Sequence, residues 1–249
     1  MTSTCLLDLG NTRYKWIAAA DLAAAEPRKQ PYASDDPAAR LCADVLAQSD
    51  CRRWVIASVR GEAFNQAVAA AFKAHGIIDI EFVTIPAQPP FALAYQDQQQ
   101  FGIDRYLNLL AARQRYPLPL IVIDAGTAVT IDVLDQAGDH LGGVIFPGLA
   151  LLRRSLGQGT DLITASEAMP VKLLGDSTAS CVSGGAWYGF HGAVRGIVEA
   201  MRQTLGGRAT IVVTGGDAGA VAAAFPAEAP AIDSRLLFEG LSITQSCAI

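Results

Sequence analysis

The chain has 249 residues, 51% of them hydrophobic and 17% charged, with a formal net charge of −5. This composition excludes a disordered chain and supplies a substantial core for one large domain or two compact ones. The acidic balance, with no run of Lys or Arg, excludes the basic face that nucleic-acid binding requires.

The N-terminus, Met1-Thr2-Ser3-Thr4-Cys5, has no basic start followed by an apolar stretch, so no signal peptide is expected. No apolar run reaches the roughly 18 residues of a membrane span. The stretch Leu118 to Ile123 stops at Asp124 and suits a buried strand. Cys5, Cys42, Cys51, Cys181 and Cys247 are scattered, odd in number and without C-x-x-C spacing. They read as reduced thiols of a cytoplasmic protein. His75, His140 and His191 are far apart and form no ligand pair.

In chain order, Thr4 to Leu9 is an apolar strand that ends in Asp8-Leu9-Gly10-Asn11-Thr12, and a second strand, Tyr14 to Ala20, follows at once. This predicts a hairpin with a polar, glycine-containing turn. Glu26 to Asp36 reads as loop, Ala38 to Gln48 as helix, Arg53 to Ser58 as strand, Gly61 to Ala74 as helix and Ile80 to Ile85 as strand. Asp104 to Tyr116 is a helix with Leu107, Leu110 and Ala111 on one face, stopped by Pro117 and Pro119. A domain boundary is expected here, giving halves of 1–117 and 118–249.

A new cycle then begins. Leu120 to Ile123 is a strand, Asp124-Ala125-Gly126-Thr127 a turn, and Val129 to Leu134 and His140 to Phe146 are strands. Pro147-Gly148 opens a helix to about Leu156, and a long helix runs from about Thr178 to Leu205. Thr210 to Thr214 is a strand, Gly215-Gly216-Asp217 a turn, Ala218 to Ala224 a helix, and Ser234 to Ser242 a last helix. The Asp124 turn echoes the Asp8 turn about half a chain away. An internal echo of this kind predicts a duplicated α/β unit with a central cleft.

Both turns suit phosphate chemistry. Gly10 lets a ligand approach the backbone, Asn11 and Thr12 add donors beside turn amides, and Lys15 adds positive charge. Asp8 is placed to manage the Mg²⁺ that accompanies ATP. Asp124, at the end of an apolar strand, needs a cation or donors. Phosphoryl transfer to an alcohol also needs a base near the acceptor. Gly102-Ile103-Asp104-Arg105 is the candidate, with Asp104 at a helix N-terminus and the Arg105 fork suited to a substrate carboxylate. Tyr95 lies upstream, and Ser177 and Thr178 open the long helix, where an anionic group can bind or a simple cap can sit.

Together these motifs resemble the type III pantothenate kinase family, which is related to Bvg accessory factor. The matching elements are Asp8-Leu9-Gly10-Asn11-Thr12 with Lys15, Gly102 to Arg105, Asp124 to Ala128 with Thr130 and Asp132, Gly142-Gly143 with Pro147-Gly148, and Thr214-Gly215-Gly216. The resemblance implies two ribonuclease-H-like halves of the acetate and sugar kinase/actin-like superfamily. It implies transfer of the ATP γ-phosphate to the 4′-hydroxyl of pantothenate, the first step of coenzyme A synthesis, by a cytoplasmic homodimer that needs potassium or ammonium. By position it makes Asp8, Leu9, Gly10, Asn11, Thr12, Arg13, Tyr14 and Lys15 the ATP phosphate loop, with Thr127 touching ATP and Asp124 holding the monovalent cation. Asp104 becomes the proton acceptor, and Tyr95, Gly102, Ile103, Arg105 and either Ser177 or Thr178 contact pantothenate. Rival readings are a sugar kinase or polyphosphate phosphatase of the same superfold, or a regulatory protein without turnover.

Overall fold

The computed structural model describes residues 3–159 and 171–246. In the first half of the chain, β1 (Thr4–Leu9), β2 (Arg13–Ala18) and β3 (Arg28–Pro31) are followed by α1 (Pro37–Leu46), β4 (Arg53–Ser58), α2 (Glu62–Ala74), β5 (Asp79–Phe82) and α3 (Ile103–Arg115). The second half comprises β6 (Leu120–Ala125), β7 (Ala128–Leu134), β8 (His140–Pro147), α4 (Leu149–Gly159), α5 (Thr178–Thr204), β9 (Thr210–Thr214), α6 (Ala218–Ala222), β10 (Ala231–Ile232) and α7 (Leu236–Ser246).

Each half builds one five-stranded sheet, ordered β3-β2-β1-β4-β5 and β8-β7-β6-β9-β10. In both, the first three strands form an antiparallel meander and the last two add in parallel to the first. The expected duplication is therefore realised strand for strand. The first strand of each cycle is central, which explains why its residues are apolar on both faces.

Two expectations are corrected. Glu26 to Asp36 is not all loop, because Arg28–Pro31 adds β3 to the free edge of β2. Its polar residues and prolines hide it, yet a sheet edge tolerates both. The boundary is the second correction. One compact unit is residues 1–115 with 234–249, and the other is 116–233. The last helix, α7, thus belongs with the first unit.

The packing shows why. The face of the first sheet that carries Leu7, Leu9, Trp54 and Ile56 is covered by α1 and α2. Its other face is covered by α3 and α7, which contact each other closely and touch β4 and β1. Gly240 makes that helix pairing possible: a Cβ there would lie 2.7 Å from the carbonyl carbon and 2.9 Å from the Cα of Leu107. In the second unit, α5 lays Ala186, Phe190, Val194 and Val198 along Ile121, Ile123, Val129 and Ile131, with α4 and α6 completing that face. Cys5, Cys42, Cys51 and Cys181 are free thiols; Cys247 lies outside the described residues. Among the described residues no helix is long and apolar enough to cross a membrane.

The Gly240→Ala variant is expected to lose about 1–3 kcal/mol of stability, because the added methyl meets backbone rather than a movable side chain. Chemical denaturation with unchanged slope checks this.

Candidate functional site

The first constellation is the β1–β2 turn. The register sets Asp8 directly opposite Lys15 on β2 and beside Ala57 on β4. Asp8 is buried on the central strand, where an uncompensated carboxylate would be costly. Lys15 Nζ lies 3.5 Å from its Oδ2 and supplies the opposite charge. Gly10, Asn11 and Thr12 form the turn itself, with Asn11, Thr12 and Arg13 exposed. Leu9 and Tyr14, though part of the expected ATP stretch, are buried in the core. Tyr14 donates to Asp44 Oδ2 at 2.7 Å. Burial, then that hydrogen bond to Asp44, pushes the Tyr14 phenol pKa well up. Only the backbone of these two residues is left to face a ligand.

The second constellation opens α3. Arg105 is buried, yet its Nη1 donates to Tyr95 Oη at 2.8 Å. Its guanidinium lies 4.4 Å from the ring centroid of Phe101. Phe101 meets Tyr95 edge to face at 4.9 Å. Asp104 stands in the first turn of α3, and its Oδ1 accepts from the backbone N–H of Arg105 at 2.8 Å. The structure thus gathers Tyr95, Gly102, Asp104 and Arg105 and adds Phe101. The signal for Phe101 was present as an aromatic directly before Gly102. Its function as a stacking plate depends on the buried Arg, which spacing alone does not reveal.

The third constellation is the β6–β7 turn in the second unit. Asp124 occupies the register position that Asp8 has in the first sheet, but its neighbours differ. Its cross-strand partner is Thr130 and its parallel partner is Thr214. Where the first unit has a lysine, the second has hydroxyls. Main-chain oxygens crowd this end: the Ala125 carbonyl accepts from Asp217 N–H at 2.9 Å and the Thr127 carbonyl from Gly148 N–H at 3.0 Å. Gly215 sits at φ +94, and a Cβ on it would come 2.6 Å from Asp124 Oδ1. The expected Gly148 and Gly215 motifs therefore close around the Asp124 turn. Among the described residues no group of three or more His, Cys, Asp or Glu side chains gathers to hold a metal.

At the start of α5, Ser177 is an N-cap. Its Oγ accepts from Ser180 N–H at 3.2 Å, and Ser180 Oγ accepts from Ser177 N–H at 3.0 Å, a capping box. Thr178 is exposed in the first turn. Two residues near the Asp8 turn carry no motif at all: Tyr32 and Arg60, both of which touch its backbone.

A family model described as type III pantothenate kinase matches residues 5–200. The chain belongs to the type III pantothenate kinase family. A type III pantothenate kinase of Nitrosococcus oceani is 32% identical over 226 residues, covering 86% of this chain and 83% of that protein. Among solved structures, a Baf family transcriptional activator from Campylobacter jejuni superposes with a TM-score of 0.63 at 20% identity, covering 98% and 100% of the two chains. A polyphosphate/ATP-glucomannokinase from Arthrobacter superposes at 0.53 with 13% identity, covering 100% of each. These structural likenesses are likenesses of fold, that of the acetate and sugar kinase/actin-like superfamily, and they agree with the duplicated sheet order.

For this family member, Gly215→Ala is expected to cost about 2–3 kcal/mol, since it combines a left-handed backbone with a Cβ pressed on Asp124. Equilibrium unfolding in urea measures it, and a loss below about 0.5 kcal/mol contradicts the packing described.

Proposed function

We propose that this chain performs the reaction of its family, ATP-dependent phosphorylation of pantothenate at the 4′-hydroxyl in coenzyme A synthesis, with Asp104 as the proton acceptor. The observation that carries the residue assignment is the group at the start of α3: an acid in the first helical turn next to a buried, aromatic-backed arginine. A buried guanidinium held by Tyr95 and Phe101 presents a rigid fork, which suits the carboxylate of pantothenate. With that end anchored, Tyr95, Gly102 and Ile103 line the acceptor and the hydroxyl is offered to Asp104.

On the nucleotide side, the Asp8–Lys15 hairpin takes the phosphates through the amides of Gly10 to Thr12, with the Lys15 charge beside them. Arg13 flanks this loop on the exposed side. Asp8 offers a hard carboxylate oxygen, and a divalent ion such as Mg²⁺ neutralises charge on the moving phosphoryl group when bound with ATP. Thr127 reaches ATP from the second turn. Asp124 is the ligand for a monovalent cation, potassium or ammonium, because its register neighbours are hydroxyls and main-chain oxygens cluster around it. Of the two residues opening α5, Thr178 is the better pantothenate contact, since the Ser177 hydroxyl is engaged in the cap. Transfer is then a matter of position and charge: Asp104 accepts the hydroxyl proton as the phosphoryl group passes.

A coupled ADP-release assay tests this reading. Release should require pantothenate and rise with potassium or ammonium; release without pantothenate overturns the acceptor. Asp104→Asn should lower kcat by about 10²-fold or more while ATP binding stays within about twofold. Near-normal turnover sinks the role given to Asp104.

We also propose a homodimer in the cytoplasm. The edge strand β8 exposes Leu141, Val144 and Ile145, the last 60% accessible. A bare apolar edge is ordinarily covered. Ile145→Asp should shift sedimentation from dimer to monomer; a monomeric parent chain refutes the assembly.

A further inference from the structure

We propose that Tyr32 and Arg60 are positioning residues that set the direction of the phosphate-loop amides. The inference rests on the reading of the Asp8 hairpin as the nucleotide phosphate loop.

Two consecutive carbonyls of that turn are held by two side chains, Tyr32 and Arg60, that pack on each other. Tyr32 Oη donates to the Gly10 carbonyl at 3.0 Å. Arg60 Nη1 donates to the Asn11 carbonyl at 3.4 Å. A peptide unit is planar and trans, so its N–H points opposite to its C=O. Holding the Gly10 carbonyl therefore aims the Asn11 N–H the other way. Holding the Asn11 carbonyl does the same for the Thr12 N–H. Two adjacent amides directed to one side form the concave donor pair that takes an anion.

The holding residues are themselves fixed. The Arg60 guanidinium lies 4.2 Å from the Phe64 ring centroid and 4.7 Å from that of Tyr32. Tyr32 and Phe64 meet edge to face at 5.5 Å. The Arg60 main chain is held too: its N–H donates to Ser58 Oγ at 3.1 Å and its carbonyl accepts from Asn65 Nδ2 at 3.5 Å. The next residue back, Val59, donates its N–H to the Leu9 carbonyl at 3.2 Å, which ties this segment to the end of β1. Burial pushes the Tyr32 phenol up to about 12, so it remains a donor at neutral pH. Arg60 also places a permanent positive charge at the turn, which favours the anion that the amides receive. Neither residue lies in the Asp8 to Lys15 motif; the order β3-β2-β1-β4 brings their segments to it.

The test is calorimetric titration of ADP with Mg²⁺ into the full chain, beside steady-state kinetics and thermal melting. Tyr32→Phe keeps the ring and removes only the donor; it should weaken ADP and raise the ATP KM by about fivefold, the worth of one hydrogen bond. Arg60→Ala should weaken ADP by about tenfold or more, and Arg60→Lys, which keeps the charge without the planar stack, should recover less than half of that loss on a logarithmic scale. The KM for pantothenate should stay within about twofold in all three, because the effect is confined to phosphate. ADP affinity within about twofold of the parent in both Tyr32→Phe and Arg60→Ala overturns the inference, as does full recovery by Arg60→Lys, which would make the role one of charge alone. Equal losses for both substrates together with a lowered melting temperature overturn it as well, in favour of a folding role. A parent chain that binds ADP but ignores pantothenate would refute the acceptor reading and leave this one standing; a parent that binds no ADP refutes both.

Discussion

A carboxylate buried at the end of a central strand is the constraint on which the first unit turns. Asp8 sits where β1 is flanked on both sides, so water does not solvate it well. A charge in that position has to be met by another. The hairpin does this by register alone, because Asp8 and Lys15 are opposed residues of a short turn. Between Asp8 and Lys15 the chain makes both an ion pair and the turn Gly10 to Thr12. Lysine in this place meets the acid.

The second unit poses the same problem and answers it differently. Asp124 has the equivalent place in an equivalent sheet, but threonines stand at the positions across from it and beside it. A hydroxyl donates a hydrogen bond without bringing charge. The surrounding carbonyl oxygens and the tightly packed Gly148 and Gly215 give a small, oxygen-lined setting. Duplication thus supplied two acids in one register position whose neighbours differ: lysine and alanine flank Asp8, and two threonines flank Asp124.

Much of this was legible in the sequence because the informative residues are close together. The repeated Asp-x-Gly turns, the apolar central strands and the helix opening at Gly102 are local patterns, and local patterns survive without coordinates. What escaped was non-local. β3 is four polar and proline-bearing residues whose strand character comes only from pairing with β2. The membership of α7 depends on Gly240 meeting Leu107, more than a hundred residues away in sequence, and no composition shift marks it. Tyr32 and Arg60 reach the Asp8 turn from segments after β3 and β4, so sheet order, not spacing, makes them neighbours of Gly10 and Asn11. Ser177 was ambiguous for a different reason: a helix cap and a ligand contact ask for the same residue types.

The return of α7 to the first unit bears on how firmly the start of α3 is held. Asp104 and Arg105 lie in the first turn of α3, and a helix end is ordinarily the part that frays. Here α3 is pressed on one side to β4 and on the other to α7, with Tyr106 to Ala112 buried without a break. A helix so confined cannot rotate about its axis without moving backbone against backbone at Gly240. Its first turn inherits that stiffness, and Arg105 adds to it by stacking on Phe101 and bonding Tyr95. In the roles proposed for them, Asp104 and Arg105 gain from such a helix a geometry held before substrate arrives, which is where a reaction that depends on position gains most. The last helix of the chain, which carries none of the motifs, therefore steadies Asp104 and Arg105 by packing against α3.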